Sequence, residues 1–380
     1  MTALYCIAAF LVSFVLFPVV LKAARRFNLV DSPDERKLQT EPVPSMGGIV
    51  VAAGVFLPLV VAAPGLPAYE WFVMAALLAL GMVDDVHNLS AKFRFLVELV
   101  LVLLLLFIDY GTLLAGYDVT PAVLLYLLFA IAGVGIINAI NMIDGIDGLS
   151  SGFGILSCSI FAVAFCRMGD MAHMLLSGVC AAALVPFYLH NVFGSKSKMY
   201  IGDGGSLFIG IILVINTFAL LLGWSPCIVA RFTLFQTGGF VLGAAFCLAV
   251  LCIPVFDTLR VMFDRIAHGI HPFHPDKKHL HHRLLELGFS HFGASTAIIL
   301  TNLLIVGVWY LSFVLSCPAY GQLLLVALMG LLSTCGFYYG SLWCEHCQNG
   351  TYRLLRRLGE ASHLEHTTLW LRLQRLLDAL

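Results

Sequence analysis

Residues 123–148 read VLLYLLFAIAGVGIINAINMIDGIDG. An apolar run of bilayer length passes, with no linker between, into Asn138, Asn141, Asp144 and Asp147. Crossing ~30 Å of hydrocarbon takes about 20 apolar residues as a helix. This stretch therefore reads as a transmembrane helix ending in a cluster of amides and carboxylates. The four polar residues recur every three positions, which drifts round a helix, so Asn141 and Asp144 can share a face but all four cannot. Gly145 and Gly148 then break the helix and let Asp147 turn back toward the same pocket.

The rest of the chain is of one kind with this stretch. Its 380 residues are 60% hydrophobic and 11% charged, and the mean hydropathy is +0.95. A soluble domain is nearer a quarter charged, so the composition indicates an integral membrane protein. A net charge of −1 gives no case for a nucleic-acid partner. The first apolar stretch has no basic residue before it and ends in Lys22, Arg25 and Arg26, the reverse of a signal peptide, and reads as an uncleaved span. Most of the 11 cysteines lie inside apolar runs and read as small buried hydrophobes. Cys344 and Cys347 form one CxxC, which lacks the second half of a zinc site.

Spans are expected near residues 3–22, 46–64, 68–83, 93–109, 120–139, 150–167, 171–190, 204–223, 235–258, 294–316 and 319–340. The expected fold is thus an all-α, polytopic membrane bundle of about eleven transmembrane helices. With the amino terminus outside, every basic residue except Arg167 and Arg231 falls on the cytoplasmic side, as the positive-inside rule favours. Residues 1–340 form the polytopic domain, and 341–380 a cytoplasmic tail. Leucines beside Arg353, Arg356 and Arg357 give that tail the pattern of an amphipathic helix on a membrane surface or a partner.

In this topology four polar clusters face the cytoplasm. Ionisable groups at span ends are costly and tend to mark chemistry. Asp84 and Asp85 end the third span; neighbours on a helix point about 100° apart, so the two are expected to do different jobs. The 138–147 run follows the fifth span. Tyr200-Ile-Gly-Asp203-Gly-Gly-Ser206 precedes the eighth, where a helix beginning at Ser206 would offer free N–H groups to phosphate. Asp203 suits a hard cation such as Mg²⁺, although a simple turn would also explain the motif. The loop at 259–293 carries six histidines in its stretch 260–288, among them His279, His281 and His282, with Lys277, Lys278 and Arg283. It has no cysteine, which favours an anion site over zinc. Lys92 and Arg94 open the fourth span at headgroup depth, either snorkelling or touching a lipid phosphate, and Glu98 lies where it can neutralise Arg94.

Five stretches in order, DSPDERKLQTEPVPSMGG, GMVDDVHNLSAKFR, NAINMIDGIDGLSSG, MYIGDGGSLFIG and PFHPDKKHLHHRLLELG, resemble the polyprenyl-phosphate N-acetylhexosamine-1-phosphate transferases of glycosyltransferase family 4. The resemblance runs from about residue 22 to 290, and the HLHHRL ending is similar to the WecA/TagO branch that uses UDP-N-acetylglucosamine. It implies an Mg²⁺-dependent enzyme (Mn²⁺ substituting) of the bacterial inner membrane. Such an enzyme passes a sugar 1-phosphate from a UDP-N-acetylhexosamine to undecaprenyl phosphate, releases UMP and starts a lipid-linked envelope polysaccharide. Membrane lipids are its surroundings, and a homodimer is common in such families. Carried over residue by residue, Asn141 and Asp203 would hold the metal, and Asp147, Asn191 and Tyr200 would lie by the nucleoside. Lys37 would face the diphosphate, Lys92 or Arg94 the lipid phosphate, and Arg283 the substrate anion. Asp84, Asp85, Asp144, His279, His281 and His282 match the catalytic acids and histidines. Gln39 and Ser45 depart from the residues common among relatives. UDP-MurNAc-pentapeptide, UDP-QuiNAc and UDP-FucNAc are the alternative donors, and a lipid-phosphate transporter the alternative class.

Overall fold

The computed structural model describes residues 2–31, 42–110, 119–222, 239–271 and 277–379. Lys37 and Gln39 lie outside these residues. Among the described residues the elements are helices, apart from a short antiparallel pair, β1 (Val30–Asp31) with β2 (Val43–Pro44). It divides into two compact units, one holding Met1–Asn141, Cys158–Gly223 and Leu376–Leu380, the other Met142–Ser157 and Trp224–Arg375.

The first unit contains α1 (Thr2–Arg26), α2 (Gly47–Ala62), α3 (Ala68–His87) and α4 (Ala91–Tyr110). It also holds all but the last two residues of α5 (Val119–Ile143), the second half of α6 (Leu149–Met168), and the whole of α7 (Met171–Phe193) and α8 (Gly202–Leu222). Its centre is α8, buried along nearly its whole length. A helix apolar all round needs such a position. α3 packs along α8, α2 touches both α7 and α8, and α1 lies against α2 and α7. The α3–α8 contact is close because Gly81 faces the start of α8: a Cβ there would stand 2.5 Å from Cα of Gly204. Backbone then meets backbone with no side chain between, as in small-residue membrane interfaces.

The second unit contains α9 (Gly239–Val250), α10 (Cys252–Ala267), α11 (Leu280–Glu286), α12 (His291–Val314) and α13 (Ala319–Leu331). After one π-helical turn (Leu332–Gly336) come α14 (Phe337–His346), α15 (Gly350–Ala361) and most of α16 (Thr368–Asp378). α9 packs on α12 and α13, and α11 on α12. α9 and α10 meet at an 80° bend. The backbone groups freed there are met by Asn302 of α12, whose Oδ1 accepts from the N–H of Ile253 (2.9 Å) while its Nδ2 donates to the carbonyl of Val250 (2.9 Å). Hydrocarbon supplies no water to do this.

Each expected span overlaps an apolar helix, and the protein is all-α and polytopic. Among the described residues seven helices are long and apolar enough to cross a membrane, or eight if the bent α9–α10 pair is one span. That is fewer than the expected eleven. α2 has only 16 residues, while α3 and α4 carry Glu70, Asp84, Asp85, Lys92, Arg94 and Glu98.

Gly81→Val would force α3 off α8 against backbone that cannot yield. Overpacking of this kind costs about 1–3 kcal/mol. The expected outcome is a clearly lowered thermal midpoint of the detergent-solubilised protein, whereas Gly307→Ala, with open space around it, leaves the midpoint unchanged.

Candidate active site

Four helix ends of the first unit converge on Asp203. The preceding turn is fixed from outside: Tyr200 N donates to Pro44 O (2.7 Å), and Gly47 and Gly48 donate to the carbonyls of Tyr200 and Ile201 (2.9 and 2.8 Å). Gly202 then adopts φ +74°, where a side chain is strained, and a Cβ on it would lie 2.6 Å from Asp85 Oδ2. α8 starts here, at Gly202 rather than at the expected Ser206. Its first free N–H groups are also taken, since Asp203 N and Gly204 N both donate to the Asp85 carboxylate (2.9 and 3.2 Å). A carboxylate already occupies the place expected for a phosphate.

Asp84 and Asp85 do different work, as their angular separation requires. Asp84 is buried at the end of α3, accepts from the N–H of Leu89 (2.6 Å), and pairs with Arg94 of α4. Arg94 also reaches Asp203 (3.3 Å), so one guanidinium ties α3, α4 and α8 together. The Asp203 side chain keeps 35% exposure against 4% for Asp84, so a ligand can reach it. Asn141, near the end of α5, donates to Asp203 Oδ1 (2.6 Å) and to Ser206 Oγ (2.9 Å). Glu98 does not neutralise Arg94 by direct contact. It is buried and hydrogen-bonded to Asn138, because a carboxylate among apolar side chains needs the nearest donor. Lys92 is exposed to the surroundings. Asn191 is buried and donates to Met199 O (3.0 Å), closing the turn that leads to Tyr200; Lys198 Nζ stands 5.8 Å from the ring of Tyr200.

The second unit holds the histidine motif on a different acid. Asp257 of α10, buried, binds His279 Nδ1 (2.9 Å), Arg260 (2.7 Å) and the N–H of Leu280 (3.1 Å). The Arg260 guanidinium lies 3.8 Å from the centroid of the Tyr338 ring. The rings of His279 and His281 stack at 5.7 Å, and that of His282 stands 4.2 Å beyond His281. His282 is the least buried of the three. Burial, reinforced by the neighbouring His282 and His279, holds His281 well below the usual imidazole pKa of 6.5 and keeps it neutral. Asp144 accepts from Ser150, and Asp147 bonds His291 Nδ1 (2.8 Å). The expectation that Asn141 and Asp144 share one face ends at Ile143, where α5 stops and the two residues enter different units. Arg283, expected at a substrate, is buried among Glu345 (2.6 Å), Glu286 (3.0 Å) and Ser341 (2.8 Å), where it anchors α14.

Asp257 and Arg260 are not singled out by the sequence, which marks Ser206 only as a helix start. The signal was present in IPVFDTLR (253–260), an acid three residues before a base inside an apolar helix.

Fold and site thus define a polytopic, all-helical membrane protein whose charged groups are gathered at helix ends, around a partly open carboxylate. Residues 68–222 match the profile of Glycosyl transferase family 4. The chain is 32% identical over 300 residues to a decaprenyl-phosphate N-acetylglucosaminephosphotransferase of Mycolicibacterium smegmatis, covering 70% of this chain and 71% of the relative. It is 27% identical over 291 residues to an undecaprenyl-phosphate alpha-N-acetylglucosaminyl 1-phosphate transferase of Yersinia pestis (74% and 76% covered). To a probable undecaprenyl-phosphate N-acetylglucosaminyl 1-phosphate transferase of Bacillus subtilis it is 29% identical over 303 residues (75% and 78%). The chain belongs to glycosyl transferase family 4 and is an enzyme of that family.

Two outcomes are expected. Asp257→Asn strips Arg260 and His279 of their buried counter-charge, and breaking a buried pair costs about 3–5 kcal/mol; the variant should lose its cooperative thermal transition or show a steep drop in midpoint. For His281 the folded state resists protonation while the unfolded state binds a proton below about pH 6.5, so stability falls as pH drops through that value. His281→Gln should flatten the decline in thermal midpoint between pH 7.5 and 5.5.

Proposed function

We propose that this enzyme transfers N-acetylglucosamine 1-phosphate from its UDP-sugar to undecaprenyl phosphate, releasing UMP and starting a lipid-linked envelope polysaccharide. The observation that carries the reading is the convergence of Asp84, Asp85, Arg94 and Asn141 around Asp203, a partly exposed carboxylate, in a chain whose relatives bear the names above. Three carboxylates stand against a single guanidinium there, an excess of negative charge that suits a divalent cation. Asp203 and Asn141 are the residues that would hold Mg²⁺ (or Mn²⁺), whose chemistry is to neutralise charge on a diphosphate.

The chain's own residues do the positioning that phosphoryl transfer mostly requires. Asp85 fixes the first turn of α8 and so aims Asp203. Arg94 bridges Asp203 and Asp84 and offsets the repulsion between the two carboxylates. A phosphate monoester acceptor has a second pKa near ~6 and is largely deprotonated at neutral pH, so it attacks with little help from a base. A single displacement follows, with no covalent enzyme intermediate. The asymmetric spread of basic residues supports an inner-membrane protein with these loops toward the cytoplasm.

The test is UMP release by the full chain given undecaprenyl phosphate, Mg²⁺ and a panel of UDP-sugars. UDP-N-acetylglucosamine should be the best donor, and Asp203→Asn should lower turnover by about 10²–10³-fold, in the range of losing one key transition-state contact. No UMP from any UDP-N-acetylhexosamine would overturn the proposal. A phosphorylated enzyme in rapid quench without lipid would overturn the single displacement.

A further inference from the structure

The helices after the final span are absorbed by nothing in the reaction. α15 begins four residues beyond His346, where the apolar stretch Ala319–His346 ends. It is docked rather than trailing. Gly359 lies flush on the chain just before α12, and a Cβ there would stand 2.7 Å from Leu287 O. Ser290 N donates to Ser362 Oγ (2.9 Å), Ser290 Oγ to Ser362 O (2.8 Å), and His363 reaches Gly288 O (3.1 Å). In α16, Trp370 packs edge-on against Phe292, at the first turn of the α12 span (5.5 Å). At its far end Asp378 accepts from Ser195 N (3.1 Å), Ser197 N (2.8 Å) and Ser197 Oγ (2.9 Å), just past the end of the α7 span. Every one of these anchors lies within a few residues of the end of a membrane-length helix, which is headgroup depth.

The outward faces fit that depth. In α15 the buried side is Gly359, while Leu354 and Leu358, one turn apart, are 56% and 52% exposed. In α16 the buried side is Trp370 and Leu377, while Leu369 and Leu376, two turns apart, are 69% and 61% exposed. Arg353 and Arg357 flank the first pair, and Arg372 and Arg375 the second, all four exposed. Arg356 is partly spent on Glu360 (3.8 Å). Exposed leucine rows edged by arginines are unfavourable in water. At a bilayer surface the leucines enter the acyl boundary and the guanidinium groups snorkel to phosphates. We infer that α15 and α16 form a platform that rides on the surface of the protein's own bilayer and binds anionic phospholipid. The partner is lipid rather than a protein because the arginines flank the leucines on helices held at headgroup depth, and anionic headgroups supply the complementary charge.

The experiment places a photoreactive benzoylphenylalanine at Leu358, at Leu369 and, as a control on the polar face, at Glu360, each in the full chain. The proteins are irradiated in nanodiscs of phosphatidylcholine, in nanodiscs of phosphatidylcholine with phosphatidylglycerol, and in cell membranes, and the adducts are identified by mass. Expected are phospholipid adducts at 358 and 369, several-fold more abundant with phosphatidylglycerol, and few at 360. Replacing Arg353, Arg357, Arg372 and Arg375 together by Gln should remove the preference for phosphatidylglycerol and leave the phosphatidylcholine adducts. Adducts to protein alone in cell membranes, equal lipid labelling at 358 and 360, or no lipid adduct in either nanodisc would each overturn the inference.

Discussion

The bridge of Arg94 between Asp84 and Asp203 is the constraint on which the first unit turns. A guanidinium is always charged, and here its Nη1 serves both carboxylates at once. At the end of apolar helices neither acid is stable as an isolated charge. α3, α4 and α8 therefore have to bring these groups together, and the glycines at 81 and 204 are what let the backbones approach closely enough. Asp85 adds a second tie by capping the first turn of α8.

The second unit repeats this logic with other residues. Asp257 is an acid that cannot be left alone, and Arg260, His279 and the N–H of Leu280 answer it. The histidine motif is thereby held to α10 by a partner some twenty residues earlier in the chain. Of the three imidazoles, His282 is the least buried.

Much of this could be read from the chain. Long apolar runs announce helices by length alone, and the acids and amides at their ends announce chemistry by their cost. What could not be read was partnership. Glu98 lies four residues after Arg94, yet it is Asn138 of another helix that it bonds. Arg283 sits in a basic, histidine-rich stretch and looks like a phosphate ligand, while Glu345, far along the chain, claims it. α8 starts four residues before the expected Ser206, at Gly202, where Asp85 from α3 caps its first turn. Local pattern gives residue types and spacing; the identity of the nearest opposite charge is a property of packing.

The elbow between α9 and α10 carries a mechanical consequence. A single amide, fully buried on α12, replaces the helical bonds that the 80° turn removes. Straightening the elbow, or swinging it wider, would strand that amide and two main-chain groups in oil. The arm bearing Asp257 is thus braced as a rigid bracket rather than hinged as a gate.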